Sequence, residues 1–120
     1  MATVLVVEDN PANMKLACLL LGKGGHSVLT AIDAEAGLAV ARAESPDLIL
    51  MDIQLPGIDG YEATRRIRAI PALARVPIIA VTSYALSGDE AKTRAAGCDG
   101  YVAKPFSPRQ LLAKIREFLP

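Results

Sequence analysis

The chain has 120 residues, of which 52% are hydrophobic and 22% are charged, and its formal net charge is zero. We expect one globular domain over 1–120, because this length and composition allow a sizeable hydrophobic core and argue against disorder. The neutral charge balance without a basic block argues against direct binding of nucleic acid, and no apolar run is long enough to enter a membrane, so we expect a cytoplasmic protein.

Five short apolar runs, bounded by turn residues, predict buried strands. In chain order they cover residues 3–7, 27–31, 48–52, 77–82 and 100–103. The third run is typical of a central strand, because four apolar residues stand between Asp47 and Asp52 and the turn Gln54-Leu55-Pro56-Gly57 follows. Such a strand is buried on both faces, which places it in a parallel sheet covered by helices.

A helix start follows each of these strands. The predicted N-cap residues are, in chain order, Asn10, Asp33, Asp59, Ser87 and Ser107. Pro11 follows the first cap in the first helical position. The last three caps have Glu or Gln three residues later, which is the pattern of a capping box. We expect the first four helices to end near residues 21, 43, 70 and 97.

The alternation of strands and helices predicts an α/β domain with a five-stranded parallel sheet, helices on both faces, and the flavodoxin-like strand order 2-1-3-4-5. In this order the first and third strands are neighbours, and ligands bind where their carboxyl ends meet. We therefore expect one cluster of polar side chains at this edge of the sheet, formed by Glu8, Asp9, Asp52, Thr82 and Lys104.

The three predicted carboxylates indicate a site for a divalent cation. Carboxylates held close together repel one another, and a hard cation such as Mg²⁺ relieves this repulsion. We expect Asp9, Asp52 and the backbone carbonyl of Gln54 to bind Mg²⁺, with Glu8 holding a metal-bound water. Lys104 would add a second positive charge to the same cluster.

The same residues favour phosphoryl transfer over hydrolysis of esters or amides. The sequence offers no Ser-His-Asp or Cys-His arrangement, since its single histidine, His26, lies away from the predicted cluster. Phosphoryl transfer needs an in-line nucleophile and cations on the phosphoryl oxygens. Asp52 would be the nucleophile and form an acyl phosphate, while Lys104 and Thr82 would each contact a phosphoryl oxygen.

These motifs resemble those of the receiver domains of two-component response regulators, and the resemblance covers essentially the whole chain. It implies that Asp52 accepts a phosphoryl group from the phosphohistidine of a histidine kinase or histidine phosphotransferase. Glu8 and Asp9 would be the acid pair for Mg²⁺, and Lys104 the lysine of the family's site. The matching residues are Val7-Glu8-Asp9-Asn10, Leu50-Met51-Asp52-Ile53-Gln54-Leu55-Pro56-Gly57-Ile58-Asp59-Gly60, Val81-Thr82 and Lys104-Pro105-Phe106.

The resemblance implies further roles that the residues alone do not derive. Thr82 and Tyr101 correspond to the family's switch pair, Gln54 and Tyr84 to positions that tune the phosphate lifetime, and the bond before Pro105 is cis in the family. The protein would be a switch that takes part in its own phosphorylation and dephosphorylation, not an enzyme. Its output would pass through contacts with an unidentified downstream protein, and it would be a monomer or weak dimer.

Other classes of protein remain open at this point. The chain could be a receiver excised from a hybrid histidine kinase, or a receiver-like binding module that is never phosphorylated. A Mg²⁺-dependent phosphatase with an aspartyl intermediate is less consistent, because such enzymes usually carry a second acid where this chain has Gln54. A flavin-binding protein is also disfavoured, since no phosphate-binding loop of Ser, Thr and Gly follows the first strand.

The first helix carries more apolar residues than one buried face can use. Met14, Ala17, Cys18 and Leu21 form one stripe at helical spacing, which we expect to face the sheet. The remaining surface, made of Ala12, Asn13, Leu16 and Leu20, is predicted to dock a partner helix that bears the phosphodonor histidine.

The fourth helix, by contrast, is expected to offer only alanines to the core. Burial of alanine gives little transfer free energy compared with leucine or isoleucine. We therefore predict that the region 84–97 is the least stable part of the domain and that it moves on phosphorylation.

Overall fold

Strands and helices alternate in the computed structural model, which describes residues 2–82, 89–104 and 106–119. The strands are β1 (Thr3–Val7), β2 (Ser27–Ala31), β3 (Leu48–Asp52), β4 (Ile78–Thr82) and β5 (Gly100–Ala103). The helices are α1 (Pro11–Lys23), α2 (Ala34–Glu44), α3 (Gly60–Arg68), α4 (Asp89–Ala96) and α5 (Pro108–Phe118), and a 3-10 turn spans Pro71–Leu73. No helix within the described ranges has the length and apolar character needed to cross a membrane.

All five strands are parallel and form one sheet in the order β2-β1-β3-β4-β5, as predicted. The register aligns Val7 of β1 with Met51 of β3, and Asp52 with Val81 of β4. Because these strands run in the same direction, the residues that follow β1, β3 and β4 meet at one edge. That edge holds the functional site described below.

The sheet separates two hydrophobic clusters. Alternate residues of the strands point to opposite faces, so β1, β3 and β4 contribute to both clusters. One cluster packs α2 and α3 against residues that include Leu5, Val7, Ile49, Met51, Ile78 and Ala80. The other packs α1 and α5 against Val4, Val6, Leu48, Leu50, Ile79 and Val81. Every residue of β3 is buried, which confirms its predicted central position.

Side-chain caps fix the starts of four helices. Asn10, Asp33 and Asp59 accept hydrogen bonds from backbone N–H groups in the first turns of α1, α2 and α3. At α5 the capping box is complete, because Ser107 and Gln110 each accept from the other's backbone N–H. These four predicted caps are confirmed. The predicted cap Ser87, like Tyr84 and Pro105, lies outside the described residues.

The prediction for the outer face of α1 was wrong for Leu20. This side chain is only 9% exposed and packs in the same cluster as Ala17 and Leu21, together with Leu111 and Ile115 of α5. The physical reason is that α1 packs against α5 as well as the sheet, which widens its buried arc. Successive residues turn by about 100°, so Leu20 falls inside this arc and Leu16 just outside it. Leu16 is 40% exposed.

The third helix ends earlier than predicted, at Arg68, not near residue 70. Ile70 has φ −86° and ψ 115°, an extended conformation, and Pro71 starts the short 3-10 turn. Proline disfavours the helical conformation at the residue before it, because the proline ring clashes with the backbone N–H and Cβ of that residue. Pro71 therefore ends α3.

The prediction that α4 offers only alanines to the core was also wrong. Thr93 is 1% exposed and Ala96 is 3% exposed, so the core-facing side of the helix holds a threonine as well as an alanine. Both side chains are small, so the expected transfer free energy remains low. The prediction that residues 84–97 form the least stable region extends beyond the described residues and stays a prediction.

Candidate functional site

Three carboxylates converge where β1 and β3 end. Glu8 and Asp52 are buried, at 6% and 2% exposure, whereas Asp9 is exposed. Each residue offers a carboxylate oxygen, and these oxygens lie within 4.8 Å of one another. The convergence follows from the parallel register of β1 and β3, because two adjacent strands that end at the same level present their following residues side by side.

Lys104 joins the two buried carboxylates. Its Nζ lies 3.1 Å from Oε1 of Glu8 and 3.1 Å from Oδ2 of Asp52. The residue follows β5, two strands away from β3, and its backbone N–H donates to the carbonyl of Thr82 at 2.7 Å. This bond fixes the start of a long side chain that then reaches across the end of β4. The predicted convergence of the lysine and the acids is confirmed.

Backbone N–H groups orient both buried carboxylates. Oδ1 of Asp52 accepts from the N–H of Gln54 at 2.9 Å, and Oε2 of Glu8 accepts from the N–H of Asn10 at 3.0 Å. Each carboxylate thus has one oxygen held by the backbone and the other by Lys104. Charge-assisted bonds of this kind hold a side chain in one orientation. Protein groups alone therefore hold both oxygens of Asp52 in place.

Burial and neighbouring charges alter the proton affinities of Glu8 and Lys104. Burial raises the pKa of Glu8 from an ordinary 4.5 to about 7, helped by the nearby Asp52 carboxylate and opposed by the Asn10 N–H and by Lys104. For Lys104, burial acts to lower the pKa, but the carboxylates of Asp52 and Glu8 outweigh burial and raise it. The site thus keeps its lysine charged and shifts the loss of the Glu8 proton toward neutral pH.

Thr82 and Tyr101 lie on the strands next to this cluster. Thr82 ends β4 and is fully buried, one residue beyond the partner of Asp52 in the sheet. Tyr101 lies on β5 opposite Ala80 of β4, is half-buried and packs against the α2–α3 side of the core. Both positions are consistent with the predicted switch pair, although their movement stays a prediction.

The positional importance of Gly60 becomes visible only in the folded structure. Its N–H donates to the carbonyl of Ile53 at 3.1 Å, so α3 begins directly against the end of β3. A Cβ atom at this position would overlap the carbonyl oxygen of Asp52 and lie 2.6 Å from Cα of Ile53. Only glycine allows this approach. The sequence signal is Gly60 itself, directly after the N-cap Asp59 and at the end of the motif that matches the receiver family.

The donor set fits Mg²⁺. Three carboxylates offer hard oxygen atoms on neighbouring elements, and one of the three residues, Asp9, is open to solvent. Mg²⁺ prefers a few such oxygens and retains several waters, which an exposed rim can accommodate. Gln54 follows Asp52 closely enough for its N–H to contact that carboxylate, while the role of its carbonyl as a metal ligand stays a prediction.

Comparison with known proteins identifies the class. Residues 4–116 match the family model of the response regulator receiver domain, so the chain belongs to this family. The polar-differentiation response regulator DivK of Brucella anthropi is 40% identical over 117 residues, which cover 98% of this chain and 95% of DivK. The stretches Asn13 to Leu16 and Met51 to Pro56 predict a similarity to DivK, and the identity over the whole chain confirms the similarity.

Solved structures agree with this assignment. Chemotaxis protein CheY4 of Vibrio cholerae superimposes with a TM-score of 0.95 at 29% identity, with 99% of each chain covered. The receiver domain of a sensor histidine kinase from Pseudomonas aeruginosa PAO1 has a TM-score of 0.91 at 40% identity, covering 98% of this chain and 96% of that one. The latter structure has a magnesium ion coordinated in its active-site cleft.

Proposed function

We propose that this receiver domain accepts a phosphoryl group on Asp52 from a phosphohistidine of a histidine kinase or histidine phosphotransferase. The observation that carries the proposal is the geometry of Asp52, a buried carboxylate 3.1 Å from Lys104 and beside Glu8 and Asp9. A fixed cation next to a positioned carboxylate favours phosphoryl transfer, where charge develops on the phosphoryl oxygens.

In the transfer step, a carboxylate oxygen of Asp52 attacks phosphorus. A P–O bond forms, the P–N bond to the donor imidazole breaks, and its electron pair stays on the imidazole nitrogen, which takes a proton from solvent. Lys104 contacts a phosphoryl oxygen and Thr82 hydrogen-bonds another. Mg²⁺, held by Asp9, Asp52 and the Gln54 carbonyl, with Glu8 contacting a metal-bound water, would offset the charge of the phosphoryl group.

Phosphorylation would then bias two conformations of the domain. In this proposal the phosphoryl group draws Thr82 inward, Tyr101 follows into the vacated space, and α4 shifts. The small core-facing side chains of α4, Thr93 and Ala96, support this choice of moving element, because little apolar area must be separated. The altered surface would change contacts with a downstream protein. The domain would also contribute to its own dephosphorylation.

Substitution of Asp52 by asparagine tests the acceptor. Incubation with Mg²⁺ and acetyl phosphate is expected to give an acid-stable, base-labile adduct on the wild type and none on Asp52→Asn, because the amide is a poor nucleophile. Asp33→Asn is the matched control, since asparagine can still cap α2 and the adduct should form as in the wild type. An unlabelled wild type would instead support a phosphorylation-silent binding module.

A second experiment tests docking of the phosphodonor on α1. Because Leu20 is buried, the candidate docking surface consists of Ala12, Asn13 and Leu16. The side chain of Leu16 is 40% exposed. Leu16→Glu is expected to slow transfer from a cognate phosphorylated kinase or phosphotransferase roughly tenfold, because a charge would be buried on binding. Labelling by acetyl phosphate should be unchanged.

The control for this experiment is Leu16→Met, which keeps an apolar side chain of similar volume and should transfer normally. The two phosphodonors separate docking from chemistry. An equal loss with the protein donor and with acetyl phosphate would show that Leu16 affects the site itself and would remove the docking hypothesis.

A further inference from the structure

One face of α3 connects the phosphoacceptor strand to the turn before β5. Gly60, Thr64 and Arg68 are spaced four residues apart, so they lie along the same side of the helix. Gly60 rests against the end of β3, as described above. Thr64 is fully buried, donates to the carbonyl of Gly60 at 2.8 Å and lies 3.7 Å from Sγ of Cys98.

Arg68, at the end of this stripe, holds several segments together. Its Nε donates to the carbonyl of Gly97 at 2.9 Å, Nη1 to that of Val76 at 2.6 Å, and Nη2 to Oδ2 of Asp99 at 2.6 Å. Nη1 also lies 3.3 Å from the Leu73 carbonyl. The Arg68 side chain is 19% exposed, so its bonds to the carbonyls of Gly97 and Val76 are partly shielded from water, whereas the Asp99 carboxylate is 42% exposed.

Residues 97–99, here called the α4–β5 turn, contact Arg68 closely. Gly97 has φ +108°, and a Cβ atom there would lie 2.9 Å from Cγ of Arg68. Asp99 accepts from the N–H of Ile78 through the same Oδ2 atom that contacts Arg68, and its own N–H donates to the Ile78 carbonyl. The turn is therefore fixed to both α3 and β4.

Within the described part of the chain, the neighbouring arginines of α3 show a different set of contacts. Arg65 and Arg66 are half-exposed and pair with Glu62 on the same helix, at 3.3 and 3.1 Å. Exposed pairs within one helix add little stability and join no separate elements. Arg65 therefore provides a matched control for Arg68.

We propose that Arg68 is a positioning residue. It anchors the α4–β5 turn to α3, the helix whose first residue, Gly60, packs against the end of the phosphoacceptor strand β3. The anchor limits how far a backbone rearrangement of α4 travels along the chain, so that the backbone of β5 and Lys104 keeps its place while the Tyr101 side chain moves. This inference rests on the proposed phosphorylation of Asp52. Its structural part, the fixed turn, does not depend on that reaction.

Hydrogen exchange measured by mass spectrometry tests the anchor in four variants. These are Arg68→Met, Arg68→Lys, Asp99→Asn and the control Arg65→Met, each compared with the wild type before and after incubation with Mg²⁺ and acetyl phosphate. Fragments covering 89–96, 97–103 and β1 to β3 are followed separately, and adduct formation is quantified in the same samples. Circular dichroism establishes that each variant is folded.

In unphosphorylated Arg68→Met, exchange in 97–103 is expected to rise roughly tenfold, with β1 to β3 unchanged. Arg68→Lys should give an intermediate rise, since an ammonium replaces only part of the planar set of donors. Asp99→Asn, which keeps an acceptor for Ile78, should also give a smaller rise. Arg65→Met should behave as the wild type.

Among the fragments followed, backbone exchange in the phosphorylated wild type should change in 89–96 and not in 97–103, whereas in Arg68→Met the change should extend into 97–103 with adduct formation within about twofold of the wild type. If Arg68 only stabilised the fold, its replacement would not change how far along the chain phosphorylation alters hydrogen exchange. Unchanged exchange in 97–103, or an equal rise in β1 to β3, would overturn the anchor. A wild type that forms no adduct would overturn the proposed function alone, because the unphosphorylated comparison still decides the anchor.

Discussion

Gly60→Ala is expected to lower the free energy of unfolding by about 3 kcal/mol, although alanine is the better helix former. The added Cβ would overlap the carbonyl oxygen of Asp52 and crowd Cα of Ile53, both of them backbone atoms. Neither can rotate away like a side chain, so α3 must move off the end of β3. The hydrogen bond from Gly60 to Ile53 would lengthen at the same time.

The same substitution should also slow labelling by acetyl phosphate. A displacement of about 1 Å at a reacting group costs roughly a hundredfold in rate, and Gly60 touches the backbone of the phosphoacceptor itself. Urea denaturation and the rate of adduct formation measure the two effects.

Gly22→Ala is the matched control for Gly60→Ala. Gly22 lies within α1, and a Cβ atom there would meet nothing within 4 Å. Alanine should therefore stabilise the protein by about 0.5–1 kcal/mol at this position and leave labelling unchanged. A Gly60→Ala protein as stable and as readily labelled as the wild type would show that α3 can shift freely, and would remove the proposed close approach.

In Mg²⁺-free buffer, the free energy of unfolding is expected to fall as pH rises from about 4.5 to 7. The folded protein holds the proton of Glu8 up to a pKa of about 7, whereas the unfolded chain loses it near 4.5. Between these values the folded state binds more protons, so rising pH favours unfolding. The difference between the Glu8 pKa values of the unfolded and folded states corresponds to a loss of about 3 kcal/mol in the free energy of unfolding across this pH range.

Lys104 does not produce this effect. Its pKa is raised above an ordinary 10.5, so its contribution is lost only at still higher pH, outside the window. Glu8→Gln, which resembles the protonated acid in shape, should flatten the decline between pH 4.5 and 7. Glu117→Gln, a change at an exposed residue of α5, should leave the slope as in the wild type.

Mg²⁺ should oppose this decline, because the cation competes with the proton for the same carboxylate cluster. Stabilisation by Mg²⁺ is therefore expected to grow as pH rises through 7. Thermal or urea denaturation at several pH values, with Mg²⁺ and with a chelator, measures both trends. If the wild type and Glu8→Gln lose stability in parallel, the proton is held elsewhere.

Local sequence patterns determined the strands, most helix starts and the central members of the site. The apolar runs require burial, and parallel strands that alternate with helices allow few topologies. Because β1 and β3 are neighbours, Glu8, Asp9 and Asp52 must meet, since Glu8 and Asp9 follow the carboxyl end of β1 and Asp52 is the last residue of β3. Lys104 could be added by the same reasoning, since it follows β5 at the same edge.

Only the tertiary structure decided which surfaces those elements share. Leu16 and Leu20 look alike in sequence, and the packing of α5 against α1 buries one and exposes the other. The close approach at Gly60 and the contacts of Arg68 likewise join residues distant in the chain. Periodicity describes one element at a time, whereas burial and hydrogen bonding across elements depend on the distances between them, which the order of residues does not contain.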